Sequence, residues 1–512
     1  MRPIELVFAA LLTASVAYWL RITSSSWFYA DEWSMAWQVR RAANILNPYN
    51  GHLSLVILGV YRVLLEVFGF STYTPYRLAG AISLAAVSLA MFVHARFLLG
   101  PGPAAVMALV LLWLPRLSIE PGGLNHSLGL VGGIVCAHGL SGRSGRRDLV
   151  VAGGLAIALA SAGGGVAVIV AAVVHNLCTR SSRSRWLAVV APSVLWLAWW
   201  RLEVPPDAGV LSSDRPDELH LVWGALGHAS ESFASLALGD RRAGLVLLAA
   251  FLCLAVWRLR HGLDASANVL AWSAALCFWW YGIMRSRWLF LDGPPIFRYE
   301  LVSVGFIMLA VLPRRPASWA GVLVDNRRKT TAATVAVVGL AAALVFSGRP
   351  DLQMFAREQA LIGQANRIRV ALIAVGPHVI PDETAYPVGL GYLDAGQVRD
   401  ALSAYPSPTF LEDADQLLLQ AAGTRLQPGP EEPQPPACSS SSGIRSVAPM
   451  ERLVVHAMSG TTKVEVRRLG ERWVPIGRLA TGRSAAVVLP QLGFDGDWFI
   501  RAQGICFVAG AP

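Results

Sequence analysis

The sequence predicts an α-helical polytopic membrane protein with about 11 transmembrane helices, followed by a C-terminal extracytoplasmic mixed α/β region ending in a β-sandwich-like domain. Three observations lead there. Of 512 residues, 54% are hydrophobic and 15% charged, against about 25% charged in an average soluble domain, and the mean hydropathy is +0.48. The apolar residues come in runs of about 15–20, long enough for bilayer-spanning helices. Those runs cease near residue 346, after which the composition is that of a globular domain.

The first run, Ile4 to Leu20, follows Met1-Arg2 and lacks a convincing A-x-A cleavage site, so a retained anchor is expected rather than a removed signal peptide. Further spans are expected at 77–94, 104–118, 122–140, 149–161, 164–178, 186–202, 244–258, 267–284, 299–313 and 331–346. The stretch 149–178 is broken by Ser161-Ala162-Gly163-Gly164-Gly165 and reads as two short spans or a re-entrant hairpin. The apolar helix 53–70, carrying Tyr61-Arg62 and Glu66, is read as interfacial or partly embedded.

Arginine placement orients these elements. Arg96; Arg143, Arg146 and Arg147; Arg180, Arg183 and Arg185; Arg258 and Arg260; and Arg314, Arg315, Arg327, Arg328 and Lys329 all fall in breaks on one side, which the positive-inside rule makes cytoplasmic. Loops 21–76, 203–243 and 285–298, and everything after 346, then lie outside a cytoplasmic membrane. The formal net charge of +10 is explained by these topological clusters, and no nucleic-acid motif accompanies it. The six cysteines show no metal-ligand spacing.

Polar residues without a topological role are the candidates for chemistry. Asp31 and Glu32 stand just outside the first span, within Trp27-Phe28-Tyr29-Ala30-Asp31-Glu32-Trp33. A partly desolvated carboxylate there could act as a general base; equally, the pair could cap an amphipathic helix over 31–46. Asn50 and His52 belong to Asn47-Pro48-Tyr49-Asn50-Gly51-His52-Leu53. In the loop 285–298, Arg285, Arg287 and Arg298 lie where arginines are disfavoured, Arg298 beside Tyr299. Each could bind phosphate in bidentate fashion, pair with Asp292 or Glu300, or meet lipid headgroups. Glu120 marks the outer end of a span, where it could join a site or cap the next helix. Arg77 is read as snorkelling, and Asp214, Asp217 and Glu218 as solvated loop residues.

The layout resembles the GT-C superfamily of membrane glycosyltransferases, which includes protein O-mannosyltransferases, lipid A aminoarabinose transferases and cell-wall arabinofuranosyltransferases. The resemblance covers about residues 1–346 and rests on order: Asp31-Glu32 after the first span; Asn50-Gly51-His52-Leu53 leading into an apolar helix; Arg77-Leu78 opening a span that ends in His94-Ala95-Arg96-Phe97-Leu98-Leu99-Gly100; and Arg298-Tyr299 opening a late span. Many relatives have His-Pro-Pro-Leu at the second motif, and Asp in place of Glu120. The resemblance implies a transmembrane catalytic domain over 1–346. It also implies sugar transfer from a polyprenyl-phosphate donor to an envelope glycan, lipid or protein. In that reaction Asp31 or Glu32 is the base, Arg298, Arg285, Arg287 and Tyr299 meet the donor phosphate, and His52, Asn50 and Glu120 contact acceptor or sugar. No cofactor is certain; a divalent cation (Mg, Mn or Ca) could share the phosphate, as in some relatives, though no dedicated ligand set is visible.

Residues 347–430 mix helical and loop patterns. A Pro/Ser-rich break from Pro428 to Ser442 reads as a linker, and 431–512 is β-rich, with short runs at Leu453–His456, Thr462–Arg467, Trp473–Ile476, Ala485–Leu489 and Trp498–Ala502. Some arabinofuranosyltransferase-like relatives carry carbohydrate-binding sandwiches in this place; Trp473 and Trp498 could stack on sugars or belong to the core. Cys438 and Cys506 could form a disulfide if this domain faces an oxidising compartment. Two other function classes remain open: a transporter or flippase for a lipid-linked sugar, and a glycan-binding membrane scaffold.

Overall fold

A computed structural model of the 512-residue chain describes residues 3–28, 31–41, 46–49, 52–113, 124–142, 144–161, 163–204, 217–237, 240–287 and 297–313, scattered positions between 339 and 382, residues 393–405, and eight strands from 425 onward. The chain divides into two compact units, Met1–Ala360 and Leu361–Pro512.

The first unit is helical. Helix α1 (Pro3–Ile22) packs against α4 (Thr74–Leu99). Glu5, near the start of α1, pairs with Arg96, near the end of α4, at 2.8 Å. At the other end, Arg77 near the start of α4 donates to the Leu20 carbonyl, 3.1 Å away, near the end of α1. Between them Phe8 stacks on Phe92, with centroids 4.3 Å apart. The two helices are therefore antiparallel, and α2 (Asp31–Arg41) and α3 (Leu55–Phe68) lie between them in the chain. Fourteen residues of α3 reach about 21 Å at 1.5 Å each. Arg77 does not snorkel: it is buried and also donates to Thr74 Oγ1.

The following helices are α5 (Pro101–Trp113), α6 (Leu124–Leu140), α7 (Gly145–Ser161), α8 (Gly164–Thr179) and α9 (Arg183–Glu203). After them come α10 (Glu218–Leu236), α11 (Arg241–Arg260), α12 (Leu263–Arg287) and α13 (Phe297–Val311). Helices stand at the expected spans up to 299–313; 331–346 lies outside the described residues. Among the described residues α1, α4, α11 and α12 are long and apolar enough to cross a membrane by themselves. Helix α11 turns Leu245, Val246, Leu252, Val256 and Trp257 outward, an apolar surface that water would not tolerate and lipid would. The chain is a multi-pass membrane protein.

Helix α10 corrects the expected loop over 203–243. Asp217 caps it, accepting from the His220 backbone N–H at 2.6 Å, and Leu221, Ala225, Ala229 and Phe233 repeat every fourth residue along one buried face.

Two devices hold the helices together. Gly132 and Gly154 let α6 and α7 approach backbone to backbone, since a Cβ on Gly154 would sit 2.4 Å from the Cys136 nitrogen and one on Gly132 2.5 Å from the Ala158 nitrogen; small residues serve this purpose in membrane helix packing. At the start of α9, Arg185 is buried and bridges Asp148, also reaching the carbonyls of Leu140 and Gly142. Ser184 donates to the same carboxylate at 2.7 Å.

In the second unit, α14 (Ala395–Ala404) opens with a capping box between Asp394 and Gln397, and Arg399 pairs with Asp382. Eight strands follow: β1 (Arg425–Pro428), β2 (Gly443–Val447), β3 (Leu453–Ala457), β4 (Thr462–Arg468), β5 (Val474–Leu479), β6 (Ser484–Val488), β7 (Trp498–Ala502) and β8 (Ile505–Ala509). They form two antiparallel four-stranded sheets, ordered β1-β6-β3-β8 and β2-β7-β4-β5. The first strand precedes the Pro/Ser-rich break, so β-structure starts earlier than residue 431.

Arg185→Met is expected to lower the thermal unfolding midpoint in detergent, because it strands a buried Asp148 at a cost of about 3–5 kcal/mol. Adding Asp148→Asn should recover part of the loss. Gly154→Val is expected to reduce the folded fraction by wedging α6 from α7, read as loss of the monodisperse peak in size-exclusion chromatography.

Candidate functional site

The segment after α1 is fixed by aromatic packing. Phe28 meets Phe70, Tyr73 and Tyr76 edge-on at 5.2, 4.7 and 4.7 Å, and Trp33 stacks on Phe70 at 4.8 Å. Such contacts contribute about 0.5–1.5 kcal/mol each beyond simple burial. Into this cage α2 sends Glu32, 3% exposed. Tyr61 of α3 donates to its Oε1 at 2.7 Å. The Tyr73 hydroxyl, just before α4, lies 2.8 Å from Oε2 and 3.0 Å from Oε1. Burial, then the neighbouring Glu32 charge, push the Tyr61 phenol well above its ordinary pKa of 10.0, so it keeps its proton and remains a donor. Glu32 is thus no solvent-facing cap. Asp31 is the first residue of α2; its side chain lies outside the description.

A chain of contacts runs onward from α2, which is described as far as Arg41; residues 42–45 of the expected helix lie outside the described residues. Gln38 donates to the Pro48 carbonyl at 3.2 Å. Tyr49 and His52 exchange two backbone hydrogen bonds, at 3.0 and 2.9 Å, closing the turn that holds Asn50, itself outside the described residues. The His52 ring lies against Gly163 at the α7–α8 turn, where an added Cβ would fall 2.8 Å from the His52 Cε1. The next residue, Gly164, faces the Trp279 ring of α12. Trp279 in turn donates its Nε1–H to the Tyr299 carbonyl at 3.3 Å. The His126 ring packs on Trp279 and Tyr299 at 5.8 and 5.3 Å. The structure therefore links the Glu32 helix, the His52 turn and the start of α13, where Arg298 and Tyr299 stand.

Tyr299 is buried. Arg298 and Arg287 belong to α13 and α12, but their side chains lie outside the description, as does Glu120 entirely. Arg285 pairs with Glu218 of α10 at 3.1 Å and contacts the Tyr281 hydroxyl at 2.8 Å. This partner comes from the segment read as a solvated loop; Asp292 lies outside the described residues. Sequence reasoning missed Tyr61, Tyr73, His126 and Trp279 as members of this assembly; tyrosine and tryptophan near an interface carry no signal of their own, since belts of them are general. In the second unit Cys438 lies outside the described residues, and the Cys506 backbone in β8 stands opposite His456 of β3. Among the described residues no three His, Cys, Asp or Glu side chains gather to hold a metal ion, and no step below is routed through one.

No family model and no curated protein matches the chain. Among solved structures it is similar to the crystal structure of ArnT from Cupriavidus metallidurans bound to undecaprenyl phosphate, at 18% identity, over 81% of this chain and 88% of that chain, with a TM-score of 0.45.

Gly163→Val is expected to push the His52 ring off the α7–α8 turn. In the reaction proposed next, this should lower the transfer rate by about 10-fold or more while leaving the amount of folded protein nearly unchanged, since misplacement of about 1 Å costs up to about 100-fold.

Proposed function

We propose that the chain is an inverting glycosyltransferase that moves a sugar from a polyprenyl-phosphate donor to an envelope glycan, lipid or protein at the outer face of the cytoplasmic membrane. The observation that carries this reading is the unbroken series of contacts from the Glu32 helix through His52, Gly163 and Trp279 to Tyr299. It connects the acidic pair to the helix start bearing Arg298, two groups more than 260 positions apart in sequence. The donor class rests on the ordered motifs of the sequence.

In the reaction, an acceptor hydroxyl attacks the anomeric carbon from the face opposite the phosphate. A carboxylate of the acidic pair takes the hydroxyl proton as the new glycosidic bond forms. The bond from the anomeric carbon to the phosphate oxygen breaks, and polyprenyl phosphate leaves with the electron pair. Charge grows on that oxygen, where Arg298 at the start of α13, with Arg285 or Arg287 of α12, stabilises it. Arg285 serves there once released from Glu218. His52, held against Gly163, contacts the sugar or acceptor, a role that Asn50 and Glu120 share. Residues 347–512 present the β-sheets to envelope glycan, and Cys438 and Cys506 form a disulfide there.

Deleting the protein should cause a lipid-linked sugar to accumulate, read by mass spectrometry of the lipid extract, and wild-type protein should clear it. Asp31→Asn is expected to slow transfer by about 10²–10⁴-fold, the usual contribution of a positioned base. Full clearance by Asp31→Ala, Glu32→Ala and the double variant would remove the acidic pair from the mechanism. No lipid-linked sugar in the deletion strain, with altered glycan binding, would favour the scaffold class instead.

A further inference from the structure

At the arginine-rich end of the helical unit, α4, α6 and α7 meet around a set of rings. His94 of α4 is 1% exposed and lies edge-on to His138 of α6, with ring centroids 5.7 Å apart. Phe97, further along α4, meets the same His138 ring at 5.4 Å. Over Phe97 stands the guanidinium of Arg147 from α7, 5.0 Å from the ring centroid. Its Nη1 donates to the His138 carbonyl at 3.1 Å. The Arg147 stem lies across Gly142, where an added Cβ would fall 2.8 Å from the Arg147 Cγ. The cation is thus held by a ring, a carbonyl and the lack of a side chain on a glycine.

Its charge is not answered in the same way. Arg96 at this end pairs with Glu5, and Arg185 with Asp148, whose other oxygen takes the Ser184 hydroxyl. Among the described residues no carboxylate pairs with Arg147 or with the exposed Arg146 beside it. Both stand in the first turn of α7, the positive end of a helix dipole, which disfavours cations and attracts anions. Close by, His94 Nδ1 and His138 Nδ1 are shut off from solvent and make no hydrogen bond among the described residues, whereas buried polar atoms are normally paired. The surface leading away is apolar. Leu89, Val93 and Phe97 stand four residues apart on α4 and are 48, 50 and 38% exposed, a row about 12 Å long at 1.5 Å per residue. Helix α4 is long and apolar enough to cross a membrane, so this row runs from the arginine into the lipid.

We propose that this corner binds the headgroup of an anionic phospholipid. Arg147 takes the phosphate with the donors that the His138 carbonyl leaves over, and Arg146 and the start of α7 attract the same charge. His138, the less buried of the two histidines, offers a nitrogen to a headgroup oxygen, and an acyl chain lies along Leu89, Val93 and Phe97. Basic pockets between membrane helices recognise anionic lipids in this manner. Free phosphate shares the headgroup's chemistry but has nothing to lay on the apolar row. The site is independent of the reaction proposed above.

The test uses the full-length protein, purified in a neutral detergent and stripped of copurified lipid. Dioleoylphosphatidylglycerol is the anionic probe and dioleoylphosphatidylcholine its zwitterionic counterpart. Thermal unfolding is followed at increasing lipid, and native mass spectrometry reads the lipid retained. Phosphatidylglycerol is expected to raise the unfolding midpoint to a plateau and to persist as a bound adduct, and phosphatidylcholine to do neither. Arg147→Gln should raise the half-saturating phosphatidylglycerol concentration by about 10-fold or more, as loss of a hydrogen bond to a charged group does. Phe97→Leu should raise it by about 2–5-fold through loss of the cation–π contact. Arg201→Gln, at the far end of α9, should leave it unchanged. If Arg147→Gln fails to fold, Phe97→Leu and Gly142→Val carry the measurement. Equal response to the two lipids overturns the proposal, as does wild-type phosphatidylglycerol dependence in the Arg147 and Phe97 variants. An equal loss in Arg201→Gln overturns it too, by showing general charge attraction. So does inorganic phosphate that shifts the midpoint as far as the lipid, which assigns the site to free phosphate.

Discussion

A carboxylate buried among aromatic rings has to be answered by donors, and Glu32 is answered by Tyr61 and Tyr73. Each hydrogen bond to a charged group contributes about 1.5–3 kcal/mol, whereas a buried charge left without partners costs several. The surrounding geometry follows from meeting that demand. Helix α3 must lie where Tyr61 can reach inward, the turn before α4 must present Tyr73, and the loop after α1 and the first turn of α2 must bring Phe28 and Trp33 around them. The antiparallel pairing of α1 and α4, pinned by Glu5–Arg96 at one end and by Arg77 to Leu20 at the other, sets the frame for this cage.

From the cage, order is passed along by contacts that are individually small. Gln38 holds the Pro48 carbonyl, the Tyr49–His52 bridge closes the turn, and the absence of a side chain on Gly163 lets His52 settle on the α7–α8 hairpin. Trp279 carries the series to α13. None of these would be strong alone: a neutral hydrogen bond contributes about 0.5–1.5 kcal/mol. Their effect is geometric, fixing the relative placement of loops that would otherwise move independently.

Much of the helical unit was legible in the sequence because bilayer-spanning segments advertise themselves by length and apolarity. Helix α10 was not, because its buried stripe is built from Leu221, Ala225, Ala229 and Phe233, where alanine gives little contrast, and because Asp214, Asp217 and Glu218 make its entrance read as loop. The strands β3 to β7 were visible through alternating apolar residues, while Arg425–Pro428 contains a proline that argued against a strand; β1 pairs only with β6 and sits at the edge of its sheet, where proline is tolerated. For the candidate site, sequence order offered the acidic pair, His52 and the Arg298-Tyr299 start as expectations. What it could not supply were the partners: Tyr61 and Tyr73 lie 29 and 41 residues from Glu32, and Glu218 lies 67 residues from Arg285. Pairing over such separations is decided by helix packing.

The Glu218–Arg285 pair also bears on how an exposed arginine is read. Its side chains are about half exposed, at 60% and 48%, and exposed pairs of this kind contribute about 0–1 kcal/mol. A phosphate offers two oxygens in bidentate geometry, against which such a weak exposed contact competes poorly. Pairing with Glu218 therefore leaves Arg285 compatible with the phosphate contact proposed for it, near the end of α12. The contrast with Arg185 makes the point. Buried, and bonded at once to Asp148, Leu140 and Gly142, Arg185 could be released only by stranding a charge in the protein interior, so it is committed to holding the helices together. Burial, more than the presence of a carboxylate partner, separates an arginine that builds the fold from one left available for chemistry.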